Sequence, residues 1–204
     1  RRPIKSDHDH MSNIFIGDSV TDCDRISIPP YGHGWVNEIA KSGLLTNIIN
    51  VGTSGHRLVD LDKRWQSDVF DNKPERLTIN IGINDTWRRY DDNDPTSVED
   101  FASRYDKLIA STLSQFEIDL VLCEPFLLHV HPEMATWRED LDPKIAVVHD
   151  LAKKYQAKLV KYDQMFTQLA ASEGIAALAE DGIHPTQRGH EEMAKLWIST
   201  VLGA

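Results

Sequence analysis

Short apolar runs recur along the chain, separated by stretches in which apolar residues return every three or four positions. The runs at 13–16, 47–51, 76–81 and 118–123, with a weaker fifth at 158–162, predict β-strands. Between 96 and 116 the helical period is clearest, with Val98, Phe101, Tyr105, Leu108, Ile109, Thr112 and Leu113 on one face. Asp94-Pro95 ahead of it offers an N-cap and a first-turn proline, and Thr96-x-x-Glu99 a capping box. Asp142-Pro143 predicts a similar start for a helix reaching about Gln156, with Ile145, Val148, Ala152 and Tyr155 turned inward. A last helix follows Thr186 and buries Met193, Leu196, Trp197 and Val201, and further helices are predicted at 34–42 and 57–70. Strands alternating with helices of this length imply βαβ units, a parallel sheet covered on both faces, and right-handed crossovers: an α/β protein. Ligands in such sheets bind beyond the carboxyl ends of the strands.

Composition narrows the partners. At 204 residues and 41% hydrophobic, the chain suits one domain, expected over 11–204. The first ten residues, Arg1 to His10, are polar, lack the apolar core of a signal peptide, and are expected to be a disordered arm or an expression remnant. A formal charge of −10 argues against nucleic acid or an anionic membrane as partner, because phosphate is repelled. No apolar run approaches the length of a transmembrane helix. Two cysteines, Cys23 and Cys123, leave a disulfide open but do not indicate one, and fit a reducing, cytoplasmic setting at least as well. A small-molecule substrate is the expected partner, with room left for a homo-oligomer.

Four segments carry chemistry. Gly17-Asp18-Ser19 follows the first run, Gly52 the second, and Gly82-Ile83-Asn84-Asp85 the third; Asp181-Gly182-Ile183-His184 lies before the last helix. Any one is weak evidence, since Gly-Asp-Ser alone arises by chance in roughly one chain of this length in twenty. Together, in this order and at one sheet edge, they supply a hydroxyl nucleophile, a backbone N–H donor, an amide donor and a carboxylate–imidazole pair, the parts of an acyl-transfer site. Ser19 needs a base, the imidazole of His184 is the natural one, and Asp181 can hold that ring in the tautomer that accepts a proton. The Ser19 N–H, the Gly52 N–H and the Asn84 amide are the expected oxyanion donors. Asp18 and Asp85 are expected to brace loops through backbone hydrogen bonds. Tyr31, Trp87, Arg88 and Trp137 are candidate substrate-binding residues, an aromatic and polar set suited to a sugar ring. His129-Val130-His131 with Glu124 nearby has metal-ligand spacing but lacks further ligands, so these read as loop histidines and no metal is expected. His33, His56, His149 and His190 read as surface or loop residues.

These blocks resemble the SGNH (GDSL-type) hydrolase family over roughly residues 13–200, with Val20 standing where the family name has leucine. Gly17-Asp18-Ser19-Val20-Thr21-Asp22-Cys23, Gly82-Ile83-Asn84-Asp85-Thr86-Trp87-Arg88 and Gly189-His190 are similar to an intracellular bacterial branch of acetylxylan esterases and lysophospholipase-like proteins. The resemblance implies a flavodoxin-like three-layer sandwich with a five-stranded parallel sheet, carboxylic-ester hydrolysis through a Ser-His-Asp triad and an acyl-enzyme, and no cofactor. Small O-acyl groups, above all acetyl esters on sugars or xylo-oligosaccharides, are the expected substrates. The alternatives are a lysophospholipase or thioesterase, an acyltransferase between sugars, and, from another class, a non-catalytic binding protein.

Overall fold

The computed structural model describes residues 11–204, so the expectation for residues 1–10 lies outside the described residues. Five strands, β1 (Asn13–Gly17), β2 (Ile48–Asn50), β3 (Arg76–Asn80), β4 (Asp119–Cys123) and β5 (Lys158–Val160), form one parallel sheet in the order β2-β1-β3-β4-β5. Each expected strand is present, the fifth two residues shorter than the apolar run. The helices are α1 (Ser19–Asp22), α2 (Trp35–Lys41), α3 (Leu58–Trp65), α4 (Ile83–Asp91), α5 (Val98–Gln115), α6 (Arg138–Lys154), α7 (Tyr162–Glu173) and α8 (Gln187–Trp197). Single π-turns extend α3 through Phe70 and α8 through Leu202.

Strand alternation decides which helices cover which face. Ile14 and Ile16 of β1 join Leu77, Ile79, Leu122 and the inner sides of α3, α5 and α6. Phe15 points the other way, edge-on to Trp35 of α2 at 5.3 Å and against Trp197 of α8 at 5.2 Å. Each such fully buried side chain contributes roughly 1.5–3 kcal/mol. The register sets Gly17 level with Asn80 and Asn80 level with Cys123, so β1, β3 and β4 end together. Crossovers leave β1 and β3 in opposite directions along the sheet, and that reversal creates a crevice at their carboxyl ends.

Some helix starts differ from expectation. The α5 cap is Ser97, whose Oγ accepts the Asp100 N–H at 3.1 Å, in place of Asp94 or a box from Thr96. Helix α6 begins at Arg138, not at Asp142, and Pro143 sits inside it. Pro143 is exposed there, so water can serve the Glu139 carbonyl that loses its helical partner. Helices α4 and α7 were not expected as helices. Helix α4 reads as a polar loop in sequence because only its first turn is buried throughout.

Candidate active site

Asp18, the last residue before α1, caps it: its Oδ1 accepts the Val20 N–H at 3.0 Å. Ser19 therefore becomes the first residue of a short helix immediately past β1. Its N–H has no hydrogen-bond partner among the described residues, as expected at a first helical position. Burial lifts the Asp18 carboxyl to about 6, against the opposing pull of the Val20 N–H and of His184.

The Asp181 turn carries His184, the candidate base. Asp181 Oδ1 accepts the backbone N–H groups of Ile183 at 2.9 Å and His184 at 2.7 Å, which folds the turn so that the imidazole returns toward its own carboxylate. His184 Nδ1 lies 2.5 Å from Asp181 Oδ2, and His184 Nε2 lies 3.0 Å from Ser19 Oγ. Burial pushes the Asp181 carboxyl upward, but bonds from the His184 ring and the two N–H groups outweigh it and hold it below the usual range. An ionised carboxylate there keeps the proton of neutral His184 on Nδ1, leaving Nε2 free to accept the serine proton.

Asn84 lies in the first turn of α4, and both ends of its amide are held. Nδ2 donates to the His56 carbonyl at 3.1 Å, and Oδ1 receives Arg88 Nη2 at 3.4 Å, which fixes the orientation of the group. The second amide hydrogen has no partner among the described residues. Asp85 Oδ2 accepts the Leu58 N–H at 3.2 Å, the bracing role expected of it.

Gly52 is placed differently from expectation. Its N–H donates to Asn50 Oδ1 at 2.9 Å, and a Cβ on it would stand 2.4 Å from the Asp22 nitrogen. Glycine is required there for close packing against α1, and its donor is occupied. Three residues on, Gly55 is exposed, has φ +79° and open space around its α-carbon, and its N–H has no partner among the described residues. It lies between Ser54, which shares a pocket with Ser19, and His56, whose carbonyl holds Asn84. The signal available in the sequence is the Ser54-Gly55 dipeptide, a turn mark just past the second strand.

A pocket of about 300 Å³ opens at Ser19, bounded by Cys23, Ser54, His184, Pro185 and His190 among others. His190, expected at the surface, is only 2% exposed. Its Nδ1 accepts the Trp35 N–H at 3.0 Å, its Nε2 lies 3.5 Å from Cys23 Sγ, and burial pulls it down to about 4. Burial and neighbouring aspartates push the Cys23 thiol up to about 12, so it stays protonated and does not compete with Ser19. Cys123 is buried, and both thiols are free.

Beyond His184 the rings continue: Trp87 lies 6.2 Å from His184, Trp137 6.1 Å from Trp87, and Tyr90 stacks on Trp137 at 5.2 Å. Arg88 covers the Trp87 ring at 5.0 Å. Tyr31 is elsewhere: half-buried, it packs against the hydrophobic core and is not among the residues lining the pocket. His129 accepts from Arg138, and Glu124 pairs with His149 on α6, so the expected loop histidines do not converge. Among the described residues no group of three His, Cys, Asp or Glu side chains is arranged to hold a metal ion, and no helix is long and apolar enough to cross a membrane. A larger cavity of about 880 Å³ beside α4 is lined by ion pairs, among them Arg57 with Asp94 and Lys144 with Asp140, and by Ser97, whose hydroxyl caps α5.

The chain as a whole is similar to known proteins. The chain matches the GDSL-like Lipase/Acylhydrolase family over residues 15–192. It is 30% identical over 205 residues to an acetylxylan esterase of Geobacillus stearothermophilus, covering 92% of each chain. The crystal structure of that organism's acetylxylan esterase Axe2 superposes with a TM-score of 0.86 at 28% identity over 94% of both chains. A putative GDSL-like lipase from Parabacteroides merdae superposes at 0.88, with 28% identity over 94% of this chain and 95% of the other. With its parallel five-stranded sheet and its motif blocks, the chain belongs to the GDSL-like lipase/acylhydrolase family of carboxylic ester hydrolases.

Proposed function

We propose that the protein is a serine esterase that removes acetyl groups from xylo-oligosaccharides or related sugars. The observation that carries the mechanism is the unbroken hydrogen-bonded line from Ser19 Oγ through His184 to Asp181. Ser19 Oγ attacks the ester carbonyl as His184 Nε2 takes its proton, and the resulting imidazolium rests against Asp181. The tetrahedral oxyanion meets the Ser19 N–H, the free Asn84 amide hydrogen and the Gly55 N–H, the last in place of the occupied Gly52 donor. His184 then returns the proton to the departing sugar oxygen. Water, deprotonated by the same imidazole, hydrolyses the acyl-serine to release acetate.

Substrate choice rests on three supports. The pocket at Ser19 is small and partly polar, suited to a short acyl group. Trp87, Arg88 and Trp137 extend from His184 as a surface on which a sugar ring can stack and hydrogen-bond. The similar proteins in Geobacillus stearothermophilus are acetylxylan esterases. The test is a series of esters from acetyl to octanoyl on one leaving group, run beside acetylated xylose and xylobiose. A kcat/KM that falls with chain length, with acetate released from both sugars, is expected. A rise with chain length and no acetate from the sugars would assign the site to lysophospholipids or thioesters instead.

A further inference from the structure

Arg64, in the last turn of α3, makes three hydrogen bonds to the loops around Ser19 and Asn84, yet neither the motif blocks nor the mechanism above uses it. Its side chain is 15% exposed. Nη2 donates to the Gly17 carbonyl at 3.0 Å, the last residue of β1 and two before Ser19. Nη1 donates to the Val51 carbonyl at 2.6 Å, just past β2, and to Asp68 Oδ2 at 2.7 Å, which balances its charge. Nε donates to His56 Nδ1 at 3.0 Å. One planar guanidinium thus ties the end of β1, the end of β2 and His56 together.

His56 is the pivotal contact. Its carbonyl fixes the Asn84 amide, and the preceding residue, Gly55, carries the unpartnered N–H. Because Arg64 donates to Nδ1, the neutral ring keeps its proton on Nε2, and burial together with the Arg64 charge holds His56 below its ordinary pKa. The ring cannot rotate away without abandoning a buried donor. The same segment is secured at its far end by the Leu58 N–H on Asp85, the neighbour of Asn84. Each of the three proposed oxyanion donors therefore lies within two residues of a group that Arg64 holds or within one hydrogen bond of it.

We infer that Arg64 is a positioning residue for oxyanion stabilisation, setting the mutual placement of the Ser19, Gly55 and Asn84 donors from outside the pocket. The inference rests on the serine-esterase reading above. Lysine cannot replace it: an ammonium on a single stem cannot serve two carbonyls and an imidazole in one plane.

The experiment measures kcat and KM for p-nitrophenyl acetate in wild type, Ser19→Ala, Arg64→Lys, Arg64→Gln, Asn84→Ala and the Arg64→Gln/Asn84→Ala pair, with thermal unfolding of each. Arg64→Gln is expected to lower kcat about 10- to 100-fold with KM within about threefold, since donors aimed at developing charge act on kcat. In the Asn84→Ala background the same change is expected to cost much less, because both act on one hole. Millimolar guanidinium, far below denaturing concentration, is expected to restore part of the loss in Arg64→Gln, while equimolar sodium chloride does not. If Arg64→Gln fails to fold, Arg64→Lys carries the same kcat and KM comparison. Full additivity with Asn84→Ala, a loss confined to KM, or unchanged kcat in a folded variant would overturn the inference while leaving Ser19-dependent hydrolysis intact. Wild-type turnover that survives Ser19→Ala would instead bring down the esterase reading and this inference with it.

Discussion

Replacing Asp181 by Asn separates the two tasks of that residue. Oδ1 holds the turn through the Ile183 and His184 N–H groups, and an asparagine carbonyl can accept both bonds. Oδ2 faces His184 Nδ1, where the variant places an NH₂ group. Nδ1 must then accept, which moves the imidazole proton to Nε2, toward Ser19 Oγ, where a lone pair is needed. A buried triad loses about 10⁴-fold from this change. Here the side chains of His184 and Asp181 are 45% and 51% exposed, so water already screens part of the carboxylate's hold on the imidazolium. The expected loss in kcat/KM is therefore smaller, roughly 10²- to 10³-fold, or about 3–4 kcal/mol of transition-state stabilisation. Ser19→Ala should cost about 10⁴-fold or more, since nothing replaces the nucleophile. The assay is steady-state hydrolysis of an acetyl ester, with calorimetry to confirm that the turn survives; unfolding stability should change by less than about 1 kcal/mol. An Asp181→Asn enzyme as active as wild type would show that another group, or none, orients His184, and the reasoning would fail.

Asn84→Ala should lower kcat by roughly 10²- to 10³-fold with KM nearly constant; a pure KM effect would make Asn84 a substrate-binding residue. Asp85 is 1% exposed, and burial lifts its carboxyl to about 7 from an ordinary 3.8. Between those values the folded protein holds a proton that the unfolded chain has released, so stability drains away as pH rises through that window and stays reduced above it. Asp85→Asn, which can still accept the Leu58 N–H, should therefore gain more stability at pH 8 than at pH 4, by up to about 4 kcal/mol; equal gains in calorimetry at both pH values would contradict the burial argument. Dialysis against EDTA should leave turnover unchanged, and a loss restored by a divalent ion would point to a metal-dependent reaction.

Much of the site was legible because its chemistry is local in sequence and the sheet does the gathering. Three motif blocks follow β1, β2 and β3, whose carboxyl ends lie along one edge of the sheet, and Asp181 and His184 share one turn, so naming the blocks almost placed them. Gly52 was misjudged because its donor is taken by Asn50, two residues earlier, a contact that depends on side-chain orientation rather than type. His190 follows Gly189 in a helix, and nothing in the residues says that its ring will meet the backbone of Trp35, 155 positions away. Arg64 falls in the middle of the helix expected at 57–70, where arginine is an ordinary helix former; its value appears only when the ends of β1 and β2 are brought beside it. The start of α6 was misplaced because Pro143 is a strong local signal for a first turn, and an exposed interior position tolerates it here.

The central claim is that Ser19 is the nucleophile. Treating the protein with a fluorophosphonate while following both acetyl-ester hydrolysis and the mass of the tryptic peptides tests it directly. One adduct is expected, on Ser19, formed at the rate at which activity disappears, with neither labelling nor turnover in Ser19→Ala. Labelling at another residue, or acetate release that persists in Ser19→Ala, would contradict it.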